Sequence, residues 1–268
     1  MQPRTIISLA GLVVVTACLG PNEPVLSERD YGFFVLHSSG DPQTATTSPV
    51  AVFLRSRPLR IPPPTPSSDS CAVLSLSPAP SILSPTYLFA GEAVTVELSG
   101  QMTALVRNDA GEDTIPHYEL PGGGSIPFDP GDVVTFTIPG SDTGFAAREI
   151  AGPTAEAVTL SPVGVPAAGD PLPLAWNPPG DEQSKMVISL RYASPGSPQL
   201  NRQVYCELFD DGAHEIEPDL LDGWRNSYQD MRLPIASRLR VTITGSGQTL
   251  TQILSIHDDT STVAPAGT

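Results

Sequence analysis

Apolar residues in this chain recur in short runs that alternate with polar ones and end at Pro, Gly, Asp or Ser. After the first thirty residues no stretch keeps the period of about 3.6 residues that an amphipathic helix needs. The pattern predicts strands at 31–36, 51–54, 71–76, 93–98, 103–106, 133–138, 157–160, 172–176, 186–192, 203–209, 239–243 and 250–256. One short helix is expected at 218–221, where Pro218 sits in a first turn with Glu217 and Asp219 beside it. The spacing of the strands is that of an all-β sandwich protein.

Composition strengthens this reading. Pro 30 and Gly 23 make up about a fifth of the 268 residues, and proline alone is near twice its usual share of about 5%. Long helices are thereby discouraged. Proline clusters between 56 and 70, with Pro58 and the run Pro62, Pro63 and Pro64, and this reads as a stiff connector.

The chain opens differently. A lone positive charge, Arg4, precedes Ile6 to Val15, which are apolar apart from Ser8. Ten helical residues rise only about 15 Å, against a hydrocarbon core of about 30 Å, so the run reads as a secretion signal and not as a span. It ends in Val15-Thr16-Ala17-Cys18. These four residues resemble the lipobox of bacterial lipoproteins. The resemblance implies cleavage between Ala17 and Cys18, a lipid on the Cys18 thiol and membrane anchoring through it. Leu19 stands where the Asp of inner-membrane retention would be in that family, which implies an outer-membrane or cell-surface place.

About 250 residues follow, room for two ordinary domains. Ala72-Val73-Leu74-Ser75-Leu76-Ser77-Pro78 is echoed by Glu156-Ala157-Val158-Thr159-Leu160-Ser161-Pro162, and an Ala-Gly-acidic turn follows each, at Ala90-Gly91-Glu92 and Ala168-Gly169-Asp170. This weak repeat predicts two modules. The expected organisation is a signal at 1–17, a lipidated tether at 18–30, a first β-sandwich module at 31–155 that includes the connector 56–70, a second at 156–257 and a tail at 258–268. In the second module, Trp176-Asn177-Pro178-Pro179-Gly180 after the alternating Leu172 and Leu174 resembles a fibronectin type III strand signature, which implies an immunoglobulin- or fibronectin-like sandwich with Trp176 in its core.

Charge narrows the partners. Only 16% of residues are charged and the net charge is -15, so the surface repels phosphate backbones and nucleic acid is excluded. Catalytic chemistry is not signalled. His37, His117, His214 and His257 show no paired spacing, no Gly-x-Ser-x-Gly elbow appears, and Gly122-Gly123-Gly124-Ser125 lacks the lysine and helix of a phosphate loop. No catalytic residue, metal or cofactor is expected. Asp210, Asp211, Glu215 and Glu217 are oxygen donors of the kind calcium takes, but Asp210-Asp211-Gly212 reads first as a structural hairpin turn. Trp224, after Asp222-Gly223, is the candidate for an exposed stacking surface. Cys71 and Cys206 either form a disulfide across the two modules or lie separately buried. The function expected is therefore a lipid-anchored envelope protein with a non-enzymatic binding, structural or adhesive role and an envelope protein or glycan as partner. Two alternatives stand beside it: a carbohydrate- or peptide-binding part of an export or assembly system, and a hydrolase with a dispersed site.

Overall fold

A computed structural model describes residues 28–57, 68–76, 85–109 and 115–264. Cys18, Ala17 and the rest of the expected signal and tether up to 27 lie outside them, as does most of the proline-rich connector. Seventeen strands follow in order: β1 Arg29–Ser39, β2 Thr46–Thr47, β3 Val50–Ser56, β4 Ser70–Ser75, β5 Thr86–Tyr87, β6 Ala93–Leu98, β7 Gln101–Asn108, β8 His117–Glu119 and β9 Ile126–Pro127 in the first half. The second half of the series is β10 Val133–Ile138, β11 Arg148–Pro153, β12 Leu172–Ala175, β13 Ser184–Tyr192, β14 Arg202–Phe209, β15 Ala213–Ile216, β16 Arg232–Ser246 and β17 Thr249–Thr260. The protein is all-β. The described helices are single turns, among them the 3-10 turn Pro218–Leu220, where a helix was expected, and the five-residue α1, Asp222–Asn226.

Alternation sets the strands' faces. Along β6, Val94, Val96 and Leu98 are buried while Thr95 and Glu97 are not, and β10 repeats this with Val134, Phe136 and Ile138. Most strands join one mixed sheet in the order β11-β10-β6-β7-β8-β3-β1-β17-β16-β13-β14-β4. The first and last long strands lie side by side in its middle: β1 pairs with β17 in parallel, from Asp30 opposite Thr249 to Ser39 opposite Asp258.

Two cores hang on this sheet. In the first, side chains from strands far apart in the order meet, such as Ile150 of β11 and Ile253 of β17, with Phe34 4.3 Å from Phe136 and edge-on to Phe53. The sheet must curl for that to happen. It closes where β11 returns to β16: a Cβ on Gly152 would lie 2.3 Å from Thr242 Oγ1, so only glycine permits the approach. The first half is thus built mainly on one curled sheet, to whose core the separate pair β2-β9 adds Ile126. In the second core, Met186, Ile188 and Val204 of the main sheet face Leu172, Leu174 and Ile216 of the separate pair β12-β15, with Trp176 just beyond β12. That half has two layers.

Strand pairing in the main sheet crosses the expected boundary at 155/156 twice. β4, from the first half of the chain, pairs with β14, and β17, from the second half, pairs with β1. Alternation marks which residues pair but carries no record of which distant strand receives them, so the topology differs from the two self-contained modules that the repeat predicted. The repeat's two copies also differ: the first becomes strand β4, whereas the second, at 157–160, forms a lone bridge from Leu160 to Trp176 in place of the expected strand. Side chains explain this. Ser255 Oγ accepts from Ala155 N at 2.8 Å, His257 Nδ1 from Val158 N at 3.3 Å, and Asp259 Oδ2 from Leu160 N at 2.7 Å. Asn177 Oδ1 takes Thr159 N, so the backbone donors of Val158, Thr159 and Leu160 are met without a ladder.

Candidate functional site: an open sheet edge held by a disulfide

β4 is the short run Ser-Cys-Ala-Val-Leu-Ser, and it ends the main sheet against β14. Its register sets Cys71 opposite Cys206, and the two are joined by a disulfide with Cα atoms 4.0 Å apart and a sequence separation of 135. Cys206 is fully buried in the second core, so Cys71 and its same-face neighbour Val73 point to the inner side of the sheet. Asp69 fixes the start of the strand by accepting from Phe209 N at 2.8 Å. Of the alternatives for the cysteines, the structure has the pair.

The other side of β4 is open among the described residues. The opposite end of the sheet is covered, for β11 curls back onto β16 and β17 and Arg148 donates to Thr251 Oγ1 at 2.5 Å. β4 carries no charge and no proline, and Val73 and Leu74, one on each face, are 40% and 41% exposed. Beside the first residues of β4, between the main sheet and β15, lies a pocket of about 240 Å³ lined by Asp69, Cys71, His214, Glu215, Glu217 and Leu220. His214 sits across it, with Nδ1 3.6 Å from Asp69 Oδ2 and Nε2 3.6 Å from Cys71 Sγ. Asp69, Glu215 and Glu217 bring three carboxylates to this lining.

The expected turn at Asp210, Asp211 and Gly212 lies nearby and is built into the fold. Asp210 Oδ1 accepts from Trp176 Nε1 at 2.8 Å and Oδ2 from Ser184 Oγ at 2.8 Å, while the Arg238 guanidinium reaches both oxygens at 3.1 and 2.6 Å. Arg238 is wholly buried and also donates to the carbonyls of Ala157 and Asn177. Four donors thus occupy the carboxylate, which leaves Asp210 no oxygen for calcium. Asp211 is exposed, with one weak bond to Ala213 N, and Gly212 has φ +99°.

Two other sequence candidates end elsewhere. Trp224, expected at the surface, is fully buried: its Nε1 donates to Gly164 O at 3.1 Å, and Arg232 lies over its ring at 5.8 Å. Leu220 and Leu221 lead into its turn and carry the ring into the second core. His37 Nε2 meets Asp258 at 2.7 Å, and this bond raises its pKa against the opposing effect of burial.

Sequence reasoning passed over the polar row on β17. Its signal was present: Thr251, Ser255, His257 and Asp259 occupy the same-face positions that Ile253 marks as inward.

No family model and no curated protein matches this chain. Among solved structures it is similar to a DUF4785 family protein from Legionella pneumophila, with 7% identity and a TM-score of 0.29. The overlay covers 77% of this chain and about half, 51%, of that one, and at so loose a fit it has no bearing on fold or function.

Proposed function

We propose that this chain is a lipid-anchored protein of the bacterial envelope with a non-enzymatic binding role, held at the outer membrane or cell surface through Cys18. The observation that carries the reading is the disulfide between Cys71 and Cys206, because such bonds persist in oxidising compartments outside the cytosol, where a lipobox signal would deliver the chain. The Val15-Thr16-Ala17-Cys18 box supplies the anchor and the all-β scaffold supplies the surface. Trp176 in the second core supports a fibronectin-like sandwich for that half. The open edge of β4 favours the peptide-binding alternative over the glycan one, since unpaired backbone groups bind another backbone.

Labelling with a palmitate analogue tests the anchor. The wild type should incorporate the label on Cys18, and Cys18→Ala should not, because neither a methyl nor a hydroxyl forms the thioether. Each buried CH₂ contributes about 0.8 kcal/mol, so two or three chains anchor stably where one would not. Equal label in both proteins, or a mature N-terminus other than Cys18, would refute the assignment.

A further inference from the structure

We propose that the free edge of β4 binds an extended segment of a partner protein by strand addition, and that the partner's segment is apolar with a basic residue placed to enter the acidic pocket beside Cys71. The proposal rests on the binding role above but not on the lipid anchor.

The edge itself is the first ground. Proteins blunt exposed sheet edges with charge, proline, bulges or a covering element, and an edge without these accepts another strand. At the other end of this sheet, β11 is covered by β16 and β17. β4 has none of these devices among the described residues, and Val73 and Leu74 offer apolar surface on both faces that an added strand would bury. A strand used as a docking rail must also resist being pulled away or displaced. The disulfide does this, fastening β4 to the fully buried Cys206 at the centre of the second core.

The partner's chemistry follows from charge. Asp69, Glu215 and Glu217 line the pocket next to the N-terminal end of the edge, with His214 the sole basic group in the lining. The chain as a whole carries -15, which disfavours a second copy and attracts a cationic partner. Backbone bonds along β4 then supply affinity without sequence, and the pocket supplies selection.

The test uses the full chain with its disulfide intact and a fluorescent ten-residue peptide of alternating Val and Thr flanked by Lys, read by anisotropy. Saturable binding is expected. Replacing the peptide's Lys by Glu should weaken it about tenfold or more, and methylating alternate backbone nitrogens, in either register, should abolish it in the register that faces β4. Val73→Lys and Leu74→Lys should each abolish binding with an unchanged melting temperature, since both side chains are exposed. Glu215→Lys together with Glu217→Lys should remove the preference for Lys over Glu. Binding that survives N-methylation in both registers, no saturable binding, or self-association through β4 in its place would overturn the proposal. Acylation does not enter this assay, so its outcome and that of the palmitate labelling are independent.

Discussion

Asp210 gathers more polar contacts than any neighbour in its turn, and that convergence separates three adjacent residues with similar sequence credentials. Its carboxylate is 1% exposed and faces the wholly buried Arg238. Removing one partner of such a pair leaves a buried charge uncompensated, so Asp210→Asn should cost about 3 to 5 kcal/mol. Asp211→Asn should change stability by less than about 0.5 kcal/mol, as surface substitutions generally do. Gly212→Val should cost about 1 to 2 kcal/mol, because its left-handed backbone penalises a Cβ, which would also lie 3.3 Å from Trp176 O. Urea unfolding of the three variants checks the order. An Asp211 variant as damaging as the Asp210 one would contradict this account.

At the scale of the element, β17 combines a core strand with a polar rail, and the rail makes stability depend on pH in two opposed ways. His257 must stay neutral for Nδ1 to accept from Val158 N, and burial lowers its pKa, with Asp258 and Asp259 opposing and Arg238 and His37 assisting. The unfolded chain then takes up a proton near its ordinary value of 6.5 before the folded chain does, so this contribution is present above pH 6.5 and is lost as pH falls towards the folded pKa. For His37 the folded pKa is raised, chiefly by its bond to Asp258, so its contribution is complete below pH 6.5 and is lost as pH rises through the folded value. Melting temperatures from pH 5 to 8 should show both limbs. His257→Gln, whose amide oxygen can still accept from Val158 N, should flatten the acid limb alone, and His37→Gln the other. The same strand shows what was legible in sequence. Alternation predicted β6 and β10 at their exact residues and β4, β12, β13 and β14 to within two, because burial on one face is a local property, whereas β8, β11 and β15 were not expected. The turn at 210–212 was legible for the same reason. The role of 157–160 was not, since its apolar pattern matches a strand and the side chains that replace the ladder lie about 100 residues away on β17 and, in Asn177, 18 residues away. Nor was the open edge at β4, which depends on which strand meets Cys206 and on what covers the far end of the sheet.

For the whole molecule, the pairing of the first long strand with the last has a thermodynamic consequence. The β16-β17 hairpin runs through both halves: Ile253 lies in the first core, Ala236 in the second, and β17 is bonded on one side to β1 and on the other to β16. Unfolding either half exposes a strand that the other half needs, so neither core has a complete sheet alone. Two modules joined by a linker would melt separately, whereas this arrangement should give one calorimetric transition. Leu208→Ala provides the sharper form of the test. It empties part of the second core, where Leu208 is fully buried, and should cost about 2 to 5 kcal/mol. At about 2 to 4 °C per kcal/mol for a chain of this size, the single peak should move down as a unit. A peak that splits, with one component left at the wild-type temperature, would mean that the first core stands without its partner and that the shared hairpin does not couple them.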